Sequence, residues 1–556
     1  MATNQSEREK LLQRLNALKN ERSSWLAHWK DISTFLLPRS GRFFVQDRNL
    51  GGSRTNNIYD STGTKALRVL AAGMMAGMTS PARPWFRLAT NDPELMKSAA
   101  VKQWLNDVTR LMLDVFAKSN TYRALHGAYE ELGAFGTASS IVLPDFDNVL
   151  HHYPLTAGEY AVATDHRGKV NTLYREFQKT VGELVGEFGL ENVSVTVRNL
   201  YDRGSLDAWV TVVHAIEPRE ARDAAKRDNK NMPWKSTYFE LGGANDKFLR
   251  VSGFNRFPAL VPRWSTAGGD IYGHSPGMEA LGDIKQLQHE QLRKAEGIDY
   301  KTNPPLQVPT SARGQELDTL PGGISYVDVT GSGNAVKTMF DVNLDLSHLL
   351  EDIQDVRGRI NSAFYADLFL MLANQNNARM TATEVAERHE EKLLMLGPVL
   401  ERLHNELLDP LIDMAFERVL EAGIVPPPPQ ELQGMNIQVE FVSMLAQAQR
   451  SIGTNSIDRF VMGVGQIAAV KPEALDKLDA DRYVDIYSDL LGVDPSLLLA
   501  NDKVAIIRQQ RAQAAMQAQQ AQQAEQQARM AKDLASADTS GRNALTDATR
   551  QFAGYT

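Results

Sequence analysis

Apolar residues recur at three- and four-residue intervals through Leu11, Leu15, Leu18, Trp25, Trp29 and Ile32, the spacing that lines one face of an α-helix. Ser6 and Glu9 stand ahead of them as S-x-x-E, a capping box in which each side chain takes up a backbone N–H that the first turn leaves unpaired. Pro38 marks the end of this helix. From about Asn57 to Gly133 the pattern stays mostly helical. Its most apolar run, Ala66 to Met78, falls short of the roughly 20 residues that cross a bilayer and is bounded by Lys65, Pro81 and Pro84. A buried core helix is expected there, without membrane insertion.

From Ser139 the period drops towards two. ASSIVLPD, EYAVATDHRGKVNTLYREFQ and LDAWVTVVHAIEPRE set β-branched and aromatic residues around turn signals such as Asp165 to Gly168, which predicts antiparallel sheet. MPWKSTYFEL and FLRVSGFNRFPALVPRW carry it to about Trp264. Ser275 as N-cap and Pro276 in the first turn then open a helix with Leu281, Ile284, Leu287, Leu292, Ala295 and Ile298 on one side and charge on the other. A Pro- and Gly-rich insert from Asn303 to Asp341, containing PPLQVP, PGGISYVDV and VTGSGNAVKTMF, reads as brief strands and hairpin turns. A second amphipathic helix, about Ser347 to Leu372, presents Leu350, Ile353, Val356, Ile360, Phe364 and Leu368 as one stripe. Two helices of similar length thus enclose a small strand module, like a stalk going out and coming back.

The returning helix stops at a run of amides, Asn374, Gln375, Asn376 and Asn377, closed by Arg379, after which Thr381 and Glu384 form another capping box. The helix that it opens reaches about Ala422, with Leu396, Leu400, Leu403, Leu407, Leu411 and Val419 on its apolar side. Pro398 and Pro410 each remove a backbone donor, so this helix should bend or break. Pro426 to Pro429 end it, and MNIQVEFV supplies one further strand. The chain closes on RQQRAQAAMQAQQAQQAEQQARMAKDL, whose Ala and Gln favour helix but leave no apolar face wide enough to dock on a core. The fold class expected is α+β, mainly helical.

Composition narrows the chemistry. A chain of 556 residues with 43% hydrophobic content can build several core layers, roughly three or four domains by length. The absence of Cys excludes disulfides and thiolate metal sites and points to a reducing site of synthesis; MATNQSEREK carries no apolar secretory run, so synthesis is expected in the cytosol. The formal net charge of −8 confines any nucleic-acid contact to local basic spots. DSTGTKAL lacks the Gly spacing of a phosphate loop and the Ser or Thr after Lys65. His389, Glu390 and Glu391 lack a second His one turn on, where Leu393 stands. His151 and His152 beside Tyr153 read as strand-edge packing, and Gly331, Ser332 and Gly333 as a hairpin turn, since no helix begins there. No cofactor, metal site or catalytic residue is expected.

Four stretches, NNIYDSTGTKALRVLAAGMMAGMTSPARPWFRL, ELGAFGTASSIV, IYGHSPGMEALGDIKQLQHEQ and RMTATEVAERHEEKLLMLGPVLERLHNELLDPLI, follow one another along the chain. YG-x-S-P ahead of an amphipathic helix and R-x-T-A-x-E ahead of a kinked one are the most specific. In these stretches the chain resembles the portal, or head-to-tail connector, family of short-tailed double-stranded DNA bacteriophages. The resemblance implies a ring of twelve subunits with wing, stem, clip and crown around an axial channel. Mapped by order, residues 1–274 form the wing, 275–302 the first stem helix, 303–345 the clip and 346–372 the second stem helix; 373–381 form the channel loop, 382–442 the kinked helix and return strand of the wing, and 443–556 the crown with its Gln/Ala tail.

Under this mapping Asn374, Gln375, Asn376, Asn377 and Arg379 line the narrowest part of the bore, with Thr381 and Glu384 capping the helix behind them. Neutral amides with one cation per subunit pass phosphate without the steep salt-linked affinity of a Lys/Arg-rich groove. Pro321, Gly322, Gly323, Tyr326, Gly331, Ser332 and Gly333 become the docking rim of the clip. The implied partners are further copies of the chain, double-stranded DNA passing without sequence specificity, major capsid and scaffolding proteins, terminase, tail adaptor or nozzle proteins, and internal ejection proteins at the crown. The implied location is the portal vertex of the virion, after synthesis in the host cytoplasm. Two other classes remain open: a packaging nuclease or ATPase, which a complete Walker motif or clustered carboxylates would favour, and an internal virion scaffold, against which the strand module at the tip of a helical pair speaks.

Overall fold

The computed structural model describes residues 6–45, 51–92, 95–243 apart from 224 and 227, 247–302, 306–307, 337–338, 347–373 and 395–443 apart from 433, 435 and 436; beyond these it describes 445, 460–468, 471, 473, 477–491 and 501–536. The amide loop with Arg379, Thr381 and Glu384, the His389 to Glu391 run, and the rim residues from Pro321 to Gly333 lie outside the described residues. The chain divides into two units, Met1–Ala480 and Asp481–Thr556.

In the first unit the chain runs through α1 (Glu7–Phe35), α2 (Thr62–Met78), β1 (Phe86–Thr90), α3 (Ala99–Lys118), α4 (Thr121–Phe135), β2 (Ser139–Asp145), β3 (Val149–Leu155), β4 (Tyr160–Thr164) and β5 (Val170–Thr180). It continues through α5 (Val181–Phe188), α6 (Val195–Asp202), β6 (Trp209–Pro218), β7 (Trp234–Glu240), β8 (Arg250–Phe254), β9 (Ala259–Leu260), α7 (Pro276–Glu279) and α8 (Leu281–Thr302). Then come β10 (Leu306–Gln307), β11 (Lys337–Thr338), α9 (Ser347–Ala363), α10 (Ala366–Ala373), α11 (described over 395–403), α12 (Asp409–Glu421), β12 (Ile437–Phe441) and α13 (460–468). Next are α14 (Ala480–Leu491) and α15 (Asn501–Ser536). The Arg508 guanidinium forks onto Asp481 at 2.5 and 2.6 Å. From 508 to 530 α15 is exposed throughout, as its lack of an apolar face requires.

The capping box at α1 is formed: Glu9 N–H donates to Ser6 Oγ at 3.3 Å and Ser6 N–H to Glu9 Oε2 at 3.1 Å. Leu11, Leu15 and Leu18 pack on Ala161, Tyr174, Val213 and Phe239 of the five-stranded antiparallel sheet β4-β5-β6-β7-β8. Three turns further on, Trp29 and Ile32 enter the main core. One helix therefore serves two cores. The opposite face of the sheet is covered by α5 and α6 through Val181, Leu184, Phe188 and Val197 against Val212 and Tyr238. These helices lie where the sequence reading ran only to sheet. Their signal is a further T-x-x-E, with Glu183 N–H on Thr180 Oγ1 and Thr180 N–H on Glu183 Oε2.

A second sheet, β3-β2-β9, leaves β3 at an edge. Asn120 guards it, its Oδ1 accepting His152 N–H and its Nδ2 donating to His152 O, both at 2.8 Å. The side-chain amide thus pairs as another strand would. His151 packs edge-on against Tyr153, ring centres 4.8 Å apart. Burial pulls the His152 imidazole down to about 4, which keeps it neutral. The pair belongs to strand packing.

The apolar run from Ala66 to Met78 is the buried α2, with Leu67, Leu70, Ala71 and Met74 inaccessible. Among the described residues no helix is long and apolar enough to cross a membrane. Its neighbours come very close: a Cβ at Gly73 would lie 2.2 Å from the Phe369 ring of α10, and one at Gly133 of α4 would lie 2.6 Å from Leu67.

Two helices depart from their expected course. The second stalk helix is interrupted between α9 and α10, where Tyr365 takes a left-handed φ of 54° and its ring packs beside Trp264 at 6.4 Å. Ahead of α12, His404–Leu408 form a π turn in which Asp409 N–H reaches back five residues to His404 O. Pro410, in the first turn of α12, has no N–H for the carbonyl four residues earlier, and the wider turn absorbs the mismatch. Glu406 of that turn is fixed by Arg263, whose Nη2 and Nε donate at 2.7 and 3.2 Å. The strand read in MNIQVEFV is β12, which pairs antiparallel with β1, Phe86 opposite Phe441.

The loop after α1 is pinned by a carboxyl. Gly41 N–H donates to Thr156 Oγ1, which donates to Glu131 Oε1, both at 2.7 Å, and Ala157 N–H reaches Glu131 Oε2 at 3.1 Å. Burial pushes the Glu131 carboxyl up to about 7 against these hydrogen bonds. The folded chain thus holds a proton that the unfolded chain releases near 4.5, so this group's contribution to stability declines as pH rises from about 4.5 to about 7 and is level above that. Glu131→Gln should flatten the slope of the melting temperature against pH across that interval. Equal slopes for the two proteins would show that Glu131 does not titrate there.

Candidate functional site

The stalk read from the sequence is the hairpin α8–α9, and the fold sets its root first. Ser275 Oγ accepts Met278 N–H at 3.0 Å as N-cap of α7 and donates to Ala134 O at 2.7 Å. Ahead of it, YGHSP crosses GAFG at two glycines. A Cβ on Gly273 would sit 2.2 Å from Gly136 O, and one on Gly136, whose φ is +75°, would sit 2.2 Å from Gly273 O. Only glycine allows that approach. Tyr272 packs against Trp25 and Trp29 of α1, with ring centres 5.9 and 5.1 Å away. YGHSP and GAFG, which belong to the stretches that carry the family resemblance, form a joint of the fold.

Leu281, Ile284 and Leu287 of α8 are buried, as are Ile353, Val356 and Ile360 of α9. Burial then stops. Ala295 is exposed, Ile298 is 41% exposed, Tyr300 51% and Leu350 44%. The stripes predicted for both helices exist, but a single chain covers only the half nearest the root.

The root is held by Asp60, in the loop that leads into α2. Its Oδ1 accepts Thr62 N–H at 2.8 Å and Thr62 Oγ1 at 2.6 Å. Its Oδ2 accepts Arg357 Nη2 at 2.7 Å from α9 and Gln291 Nε2 at 3.1 Å from α8. Gln288 of α8 takes the N–H groups of Tyr59 and Asp60 at 2.6 and 2.8 Å and returns a bond to Asp60 O at 2.9 Å. The Asp60 side chain is only 7% exposed. Burial alone would raise its carboxyl, yet the bonds from Thr62 and Arg357 outweigh it and hold the group below the usual carboxylate range. DSTGTK is therefore a carboxylate anchor for both stalk helices. Beside it lies an open polar cleft of about 600 Å³ lined by Asp60, Lys65, Gln354, Arg357 and Asn361 among others.

A second cavity, about 640 Å³, lies beside the π turn between Asp165, Trp234, Arg256 and Asp413. Its main charges are paired, Arg256 with Asp413 at 2.6 Å and Arg263 with Glu406. Among the described residues no group of three or more His, Asp or Glu is placed to hold a metal ion. What the described arrangement supplies is a hydrogen-bonded root and a helical hairpin whose outer half is exposed. Asp60→Ala should cost about 2 kcal/mol, the size of lost charge-assisted hydrogen bonds discounted for the partly open Arg357, and should speed hydrogen exchange at the root of α8. The contribution is present above the usual carboxylate range and is lost as pH falls through the lowered value. An unchanged melting temperature at neutral pH would remove Asp60 from this role.

The description "Bacteriophage head to tail connecting protein" belongs to a family whose profile matches residues 8–499. A probable portal protein of Bordetella phage BPP-1 is 66% identical over 552 residues, 99% of this chain and 100% of that one. A portal protein of Salmonella phage epsilon15 is 47% identical over 543 residues, 98% of each chain. A solved chain from the neck of an empty gene transfer agent particle is 12% identical, with 82% of this chain and 96% of that one covered and a TM-score of 0.37. The chain belongs to the bacteriophage head-to-tail connecting family, that of the phage portal proteins.

Proposed function

We propose that this chain assembles into the ring at one vertex of a phage capsid, the conduit through which the genome is packaged and later ejected. The observation that carries the reading is the relation to a probable portal protein along 99% of the chain at 66% identity. The apolar residues left open on the outer half of the α8–α9 hairpin support it, since exposed rows of this kind call for cover from neighbouring copies. The ring would be dodecameric, with a mechanical and not a catalytic role.

Within the ring, residues 373–381 line the channel, and Asn374, Gln375, Asn376, Asn377 and Arg379 face passing DNA. Residues 303–345 form the clip, which docks terminase during packaging and tail adaptor or nozzle proteins afterwards. The antiparallel pair β10–β11, Leu306 opposite Thr338 and Gln307 opposite Lys337, supports a strand module there. Capsid and scaffolding proteins meet the wing, and ejection proteins the crown. An enzymatic reading has less support, because the relatives are named as portal proteins.

Native mass spectrometry and negative-stain imaging of the purified protein should find a ring with a central hole. A well-folded monomer that stays monomeric at micromolar concentration would overturn the reading. A separate test addresses the clip: shortening the turn at Gly331, Ser332 and Gly333 should leave rings intact while particles lack DNA or tails. Variant particles that fill, acquire tails and infect like the parent would move the docking surface elsewhere.

A further inference from the structure

One long side of the α8–α9 hairpin is acidic, and exposed cations of α2 lie beside the other. Residues three or four apart share a helix face, so Asp283, Gln286 and Glu290 form one row on α8, and Asp352, Asp355 and Arg359 form one on α9. These rows meet along one side of the hairpin. Arg359 reaches Asp283 at 3.3 Å, Asp355 at 3.4 Å and Gln286 at 3.5 Å among the carboxylates of Asp283, Glu290, Asp352 and Asp355, while Arg293, one turn beyond Glu290, is committed to Glu296 at 2.7 Å. Glu290 is 8% exposed. Its Oε1 accepts Gln286 Nε2 at 2.6 Å, and its carboxyl lies within hydrogen-bonding range of the Asp352 carboxyl. Burial and then the adjacent Asp352 push the Glu290 carboxyl upward, against Gln286 and Arg359. This side of the chain is short of cations.

Exposed cations lie beside the other side, on α2. Leu350, Gln354, Arg357 and Asn361 follow one another along α9, and the last three border the open cleft with Lys65 of α2. Arg357 is committed to Asp60. Lys65 and, one turn further along α2, Arg68 are exposed and have no ion-pair partner among the described residues.

We infer that the acidic side of one hairpin seats against the cationic side of the next copy, with Lys65 and Arg68 of one chain facing Asp352 and Asp355 of its neighbour. The inference rests on the ring reading and adds to it which surfaces meet. A ring closes through head-to-tail contacts between two different patches, whereas a two-fold pair sets each patch against itself. Here a two-fold pairing would set acid on acid, while the head-to-tail contact matches opposite charges. A nucleic-acid strand lying on Lys65 and Arg68 is the competing occupant.

The test uses charge reversal in the full-length protein. One variant carries Lys65→Glu and Arg68→Glu, and the other carries Asp352→Lys and Asp355→Lys. Circular dichroism and melting temperature establish that each is folded, and native mass spectrometry reads assembly. Each variant alone should raise the concentration needed for ring formation by tenfold or more, as expected for like charges brought together. Mixing the two should restore rings in which the variants alternate, because each reversed side then meets a reversed partner. Combining all substitutions in one chain should restore them as well.

Rings that form normally from either variant, or variants that neither mixing nor combination rescues, would overturn the inference while leaving the ring reading intact. So would variants that keep the ring but lose retained DNA, which would assign the cationic side to nucleic acid. A parent protein that forms no ring would instead remove the reading beneath it.

Discussion

Two helices that leave the body of a protein as a hairpin must be held at the root, because their mutual contact does not fix the direction in which they project. Here one carboxylate does this. Asp60 lies between α2 and both stalk helices and accepts from Thr62, Gln291 and Arg357, while Gln288 clasps its backbone. A buried carboxylate is tolerable only when its lone pairs are filled, and each of these bonds goes to a group whose position the rest of the fold determines. The apolar contact between α8 and α9 ends in the same region, so the polar anchor takes over where burial stops.

Around that root the packing relies on backbone proximity. Gly73 admits Phe369, Gly133 admits Leu67, and Gly136 and Gly273 let two chain segments cross in contact. Because α1 contributes to the sheet-bound core through Leu11 to Leu18 and to the helical core through Trp29 and Ile32, the five-stranded sheet is coupled to the stalk root through one continuous helix. Arg263, gripping Glu406 across 143 residues of sequence, adds a second tie between sheet and helices.

Much of this was legible in the chain. Periodicity located α1, α2, both stalk helices and the sheet, because each buries a stripe or face that local spacing exposes. The pair α5–α6 escaped because it lies inside the span from Ser139 to Trp264 that reads as sheet, although Thr180 and Glu183 carried the N-terminal signal of α5. Pro410 announced a distortion without saying that a π turn would absorb it. The break at Tyr365 has neither Pro nor Gly within it and follows from tertiary packing. At the site, the apolar rows of the hairpin could be read but not where their burial ends. Asp60 could not be found locally at all, since its partners on α8 and α9 lie 228 to 297 residues away. The family resemblance pointed to YGHSP and GAFG, whose role in the fold is a mechanical joint.

The amide of Asn120 bears on a hazard specific to assembling proteins. Any chain that gathers many copies of itself raises their local concentration long before the correct contacts form, and an open strand edge at that moment invites stacking of sheets into insoluble material. By bonding both backbone groups of His152 from within its own chain, Asn120 blocks that edge at its middle. At that position pairing is left to side-chain surfaces, which discriminate between partners where a bare backbone ladder would accept any strand.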